Sequence, residues 1–149
     1  MNDPSVAELQ LRFSNALHTT ARAWRLAIDA RLKDLGLSQA GWMAIAMVAK
    51  APEPLSQKQL ADLLAVEGPT IVAMVDRLVA AGLVLRVHSE SDRRVKLIEL
   101  TGAGKALYKK VQQRADAVRS ELLSGLDLAR LLAAAELLEM LQERIEAPL

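Results

Sequence analysis

The 149-residue sequence predicts a mainly α fold with a small β component: a winged helix-turn-helix carried between long terminal helices. Three observations predict it. Residues 56–101 read SQKQLADLLAVEGPTIVAMVDRLVAAGLVLRVHSESDRRVKLIELT, two short capped helices followed by two β-prone runs joined by a polar turn. Hydrophobic residues make up 52% of the chain but aromatics only 3%, a Leu/Ala/Val-rich content that favours helices. Each end of the chain carries a long helical stretch with an apolar stripe and no partner domain to cover it.

The elements follow in order. A first helix opens near Ser5, where Ser5 and Glu8 form a capping-box pair after Pro4, and stops before Gly36. Phe13, Leu17, Trp24 and Ile28 share one face of it. His18, Arg22, Arg25 and Asp29 form a polar stripe on another. A second helix spans Ser38 to about Ala49 and is broken by Pro52 and Pro54. A third starts at Ser56 with Gln59 completing a capping box, and buries Leu60, Leu63 and Leu64. After a turn at residues 65–68, Pro69 suits the first position of a fourth helix, where no amide donor is needed. Ile71, Met74, Val75 and Leu78 face its core, and Gly82 ends it. Leu83 to Val87 and Val95 to Leu100 are strand-like, and the polar stretch between them predicts a hairpin. A fifth helix opens at Thr101 or Gly102 and runs to about Ser124. Asp127 caps a sixth, in which Leu131, Ala134, Leu138, Leu141 and Ile145 repeat as a coiled-coil-like seam. The chain is therefore read as one domain, 1–149. Within it, residues 38–101 form the winged helix-turn-helix, and 1–35 and 102–149 supply dimerisation helices. The alternative is that the terminal helices pack on one another within one chain.

Composition removes several function classes. There is no cysteine, hence no disulfide, no cysteine-based zinc site and no thiol redox sensor. The start has neither the basic nor the apolar region of a secretory signal, and the apolar run from Trp42 to Ala49 is too short to span a membrane. The expectation is a cytoplasmic protein without a cofactor. Two histidines, His18 and His88, stand seventy residues apart, and there is no nucleophile–base pattern, metal-ligand spacing or glycine-rich phosphate loop, so no enzyme is expected.

Net charge is only +1, a weak argument for nucleic acid. Residues 51–100 carry six Lys/Arg against seven Asp/Glu, so placement of the cations must carry any such argument. The fourth helix presents Thr70, Ala73, Asp76, Arg77 and Ala80 away from its core. Small residues let a helix sit deep in a major groove about 12 Å wide. Arg93 and Arg94 at a hairpin tip can enter a narrow minor groove, where the potential is most negative. Asp92 fits there as a turn former that holds an arginine. The candidate DNA-binding residues are Pro69, Thr70, Ala73 and Arg77 on the helix, Arg86 on the first wing strand, and Asp92, Arg93 and Arg94 at the tip.

The run Leu60-Ala61, Glu67-Gly68-Pro69-Thr70, Asp76-Arg77-Leu78, Gly82-Leu83-Val84, Asp92-Arg93-Arg94 and Leu100-Thr101 resembles the MarR family of bacterial transcription regulators. Upstream, Trp24-Arg25, Ile28-Asp29, Arg31-Leu32-Lys33, Leu37-Ser38-Gln39 and Trp42 look like its SlyA-like branch. The resemblance covers nearly the whole chain. It implies a homodimer built through the terminal helices, Arg94 and Arg93 in the minor groove, and the start of the fourth helix in the major groove of double-stranded DNA. Two-fold symmetry then calls for a near-palindromic operator with recognition helices roughly 34–36 Å apart. Similar SlyA-like proteins carry an arginine where this chain has Ala73, so the wing is expected to supply much of the grip. The resemblance also implies a repressor relieved by a small aromatic carboxylate or other lipophilic anion. His18, Arg22, Arg25, Trp42, Met43 and Met47 are the candidate effector-binding residues, since an arginine beside aromatic and thioether groups suits an aromatic anion. The near-neutral winged segment leaves one rival reading, a dimeric winged-helix module that binds a protein partner and not DNA.

Overall fold

The computed structural model describes residues 5–148. Six α-helices and three short strands run in the order α1 (Val6–Leu32), α2 (Gln39–Lys50), β1 (Leu55–Ser56), α3 (Gln57–Leu64), α4 (Gly68–Ala80), β2 (Val84–His88), β3 (Lys96–Leu100), α5 (Gly102–Leu123) and α6 (Leu128–Glu146). The outermost residues of the two expected dimerisation segments, 1–4 and 149, lie outside the described residues, as does the part of the chain start on which the secretory-signal expectation rests.

The helix ends sit where side-chain chemistry puts them. Ser5 accepts from the Glu8 amide while the Glu8 carboxylate accepts from the Ser5 amide, and Ser56 and Gln59 repeat the arrangement on α3. Ser38 and Asp127 cap α2 and α6. The first helix is shorter than expected as α-helix. It ends at Leu32, and residues 33–35 continue as a 3-10 turn closed by Gly36 at φ 74°.

One strand was not legible beforehand. Leu55 and Ser56 pair antiparallel with Ile98 and Leu97, which makes a three-stranded sheet of order β1-β3-β2. Two residues carry no periodicity of their own, and Ser56 doubles as the α3 cap, which hides the strand behind the helix signal. The hairpin register pairs Val84 with Leu100 and His88 with Lys96.

The chain divides between Val118 and Arg119 into two compact units. In the first, one core is built from Ala44 and Ile45 of α2, Leu60 and Ala61 of α3, Ile71, Met74, Val75 and Leu78 of α4, and Val84 and Ile98 of the hairpin. The four α4 residues are the i, i+3, i+4, i+7 set of one helix face, so α4 is held by that face and its opposite face is left outward. A second core joins Ile28 and Leu32 of α1 to Val111 and Val118 of α5. Arg114 of α5 reinforces it by donating to the Arg31 carbonyl (3.0 Å) and to the Asp34 carboxylate.

α5 starts against the hairpin. Thr101 Oγ1 donates to the Gly82 carbonyl (2.6 Å) and accepts from the Gly104 amide (3.0 Å), while the Thr101 amide donates to the Leu83 carbonyl (3.0 Å). Gly104 lies so close to Leu83 that a Cβ there would collide with the Leu83 carbonyl oxygen. The second unit contains α6, which has no buried residue. Leu128, Leu132 and Ile145 are largely exposed, as are Val6, Leu9 and Leu11 at the start of α1.

Candidate nucleic-acid interface

α4 presents the side chains that its sequence places opposite the core. Pro69, Thr70, Ala73, Asp76, Arg77 and Ala80 are all exposed. Pro69 lies in the first turn, where its missing amide costs nothing and the remaining free amides point out of the helix start. Val72 joins this surface and was not among the candidates, although a branched apolar group can contact a thymine methyl. Its one sequence signal is an apolar residue outside the buried set.

The wing tip is organised around Asp92. Its carboxylate accepts from the Arg94 amide (3.0 Å), Arg94 Nε (3.2 Å) and Arg94 Nη2 (3.3 Å). These bonds, the side-chain bonds first, hold the Asp92 carboxyl below the usual aspartate range. The Asp92 carbonyl accepts from the Val95 amide (3.0 Å), which closes the turn. Arg94 is 91% exposed despite this hold, so its guanidinium is aimed without being covered. Arg93 is exposed beside it, and its carbonyl lies 2.9 Å from His88 Nδ1. A carbonyl can only accept, so the His88 Nδ1–H is the donor.

Arg86 behaves differently from the rest of the predicted set. Its side chain is only 22% exposed and turns back onto the helices. Nε donates to Gln57 Oε1 (3.0 Å), and Nη2 donates to the Val72 carbonyl (3.2 Å) and to Asp76 Oδ1 (2.6 Å). Gln57 and Asp76 stand 29 and 10 positions from Arg86, too far for any local sequence pattern to join them.

The six effector candidates are not gathered into one cavity. His18, Arg22 and Arg25 are exposed along α1. Trp42 packs against the α1–α5 core and donates its indole N–H to Asp29 (3.3 Å); Met47 packs against the main core, and Met43 is half-buried. None of the six lines either of two sizeable cavities in the first unit. One, of about 730 Å³, lies between the turn before α2, the end of α4 and the start of α5, with Leu35, Leu37, Leu83 and Leu107 in its wall and Arg77 and Lys110 at hand. The other, of about 390 Å³, lies between the end of α2, β3 and Tyr108. Among the described residues, no cluster of three or more His, Asp or Glu is arranged to hold a metal, and no helix is long and apolar enough to cross a membrane.

The same fold recurs in solved structures. The transcriptional regulator PA3341 is 36% identical, matches 90% of this chain and 98% of its own, and superposes with a TM-score of 0.82. BldR from Sulfolobus solfataricus is 26% identical over 95% of this chain and 98% of its own, with a TM-score of 0.78. CouR from Rhodococcus jostii RHA1, in a complex with p-coumaroyl-CoA, shares the fold at 24% identity, 92% and 94% coverage and a TM-score of 0.78. Residues 35–95, which hold α2, the helix-turn-helix, β2 and the wing turn, match the model of the MarR family. Its members regulate transcription and are not enzymes. With the fold, the outward face of α4 and these likenesses in agreement, the chain belongs to the MarR family of transcriptional regulators.

Proposed function

We propose that this protein is a homodimeric, sequence-specific DNA-binding repressor of the cytoplasm, in the SlyA-like branch of its family. The observation that carries this reading is the pairing of two exposed elements in one compact unit. The small-residue face of α4, with Thr70, Ala73 and Arg77, suits a major groove, and the Arg93-Arg94 tip suits the flanking minor groove. Exposed leucines on α1 and α6 support pairing of two chains through the terminal helices. The SlyA-like assignment rests on the Trp24-Arg25 to Trp42 stretch.

Release by a small apolar anion is part of the proposal. The six residues picked from sequence offer a solvated stripe and core-packed side chains. The crevice beside Arg77 and Lys110 offers a better seat: it has the volume of a small-molecule site, leucine walls and two cations. CouR was solved in a complex with p-coumaroyl-CoA, an aromatic acyl thioester, and this supports an anionic aromatic ligand here.

The protein-interaction reading survives on one observation, the six cations against seven anions of residues 51–100. Selecting bound sites from a random duplex pool and titrating the winner at several salt concentrations separates the two. A DNA reader yields a near-palindrome whose affinity falls steeply with salt. A module that binds only protein enriches no sequence.

A further inference from the structure

Arg86 is a cation that the sequence assigns to the DNA and the structure engages elsewhere. It sits on β2 opposite Ile98, at the base of the wing. One guanidinium reaches the first residue of α3 through Gln57, and α4 through the Val72 carbonyl and Asp76. All three segments that carry or support the reading surface therefore meet at this side chain. The apolar core beneath α4 holds its buried face through contacts that are individually non-directional. A planar fork bonded to three oxygens is directional.

Its second effect is electrostatic. Asp76 is 60% exposed and shares the outward surface of α4 with Ala73, Arg77 and Ala80. A bare carboxylate there would face phosphates and oppose binding. At 2.6 Å, Arg86 neutralises it from behind.

We infer that Arg86 is a positioning residue that acts on DNA through Asp76: it locks the wing to α4 and cancels the carboxylate that the outward face of α4 presents, without touching DNA itself. This rests on the DNA-binding reading above. The test is a fluorescence-anisotropy titration of the full chain on its selected duplex across a salt series, with Arg86→Met, Asp76→Asn and the double variant, each first checked for a parent-like thermal melt. Arg86→Met is expected to weaken binding at least about tenfold, because it leaves Asp76 unpaired before the phosphates. Asp76→Asn alone is expected to stay within about threefold of the parent, and the double variant to recover the share of the loss that comes from the unpaired carboxylate, a non-additivity expected of residues in contact. The double variant keeps the parent's salt slope. If Arg86 instead contacts a phosphate, the double variant binds no better than Arg86→Met and its slope falls by about 0.9, which overturns the inference. Should Arg86→Met fail to fold, Arg86→Gln, which retains a donor toward Gln57, takes its place in the same comparison. A parent chain that binds no duplex at all removes the DNA-binding reading itself, a result distinct from additive variants.

Discussion

Asp92 and Arg94 are bonded three times across a span of two residues, and Arg94 nevertheless remains almost wholly exposed. The pairing gains little stability in water, where exposed ion pairs are screened by solvent and salt. It sets the direction of a long side chain instead, so that less rotamer freedom is lost when the arginine enters a groove. Asp92→Ala should therefore change the melting temperature by no more than about 2 °C, since the bonds it removes lie in an exposed turn. It should weaken operator binding several-fold. Paired melts and gel-shift titrations check both halves; a variant that loses stability and affinity together would show that Asp92 only builds the turn.

A second ion pair gives a pH dependence. Arg114 bonds Asp34 and holds its carboxyl below the usual aspartate range. A carboxyl whose folded value lies below its unfolded one stabilises the fold above the unfolded value. That contribution is lost as pH falls through the folded value. The stability gap between the parent and Asp34→Asn should be present at neutral pH and close below about pH 4. Because the pair is on the surface, the gap is small, and chemical denaturation at matched salt is the suitable measurement. A gap that widens on acidification would contradict the assignment.

The start of α5 admits no side chain at Gly104, where a Cβ meets the Leu83 carbonyl. Gly104→Ala should shift α5 against the hairpin and cost about 1–3 kcal/mol, as overpacking does. Gly102→Ala, which meets nothing within 4 Å, should be neutral or mildly stabilising. Urea unfolding of the two variants side by side tests the contrast, and equal losses would refute it.

Ala73 leaves the outward face of α4 short of a cation. Ala73→Arg should tighten binding to the selected duplex and steepen the salt dependence by about 0.9 if the new side chain reaches a phosphate, or narrow the base preference if it reaches a guanine edge. Unchanged affinity and unchanged preference would mean that this face of α4 does not enter the groove.

Local chemistry was legible in the sequence wherever cause and effect lie within a few residues. Ser5/Glu8 and Ser56/Gln59 bond as capping boxes, Gly36 and Gly82 take positive φ at the helix ends, and the Asp92–Arg94 hold was readable as a turn former beside an arginine. What escaped depends on contacts between distant positions. The two-residue strand at Leu55 exists only because β3 passes beside it. Arg86 looked like a free cation until Gln57, Val72 and Asp76 surrounded it. The Trp42 and Met47 side chains looked available for a ligand, yet apolar burial draws them into two different cores. The crevice beside Arg77 and Lys110 is formed by residues spread from position 35 to 110, which no window along the chain joins.

Titrating the selected operator duplex with the parent and with Arg94→Ala at one fixed salt concentration decides whether the wing tip supplies the main grip on DNA. Arg94→Ala is expected to keep the parent's melting temperature and lose most of the specific affinity, by about tenfold or more, as when a groove-inserted arginine is removed. Binding of Arg94→Ala as tight as that of the parent would contradict it.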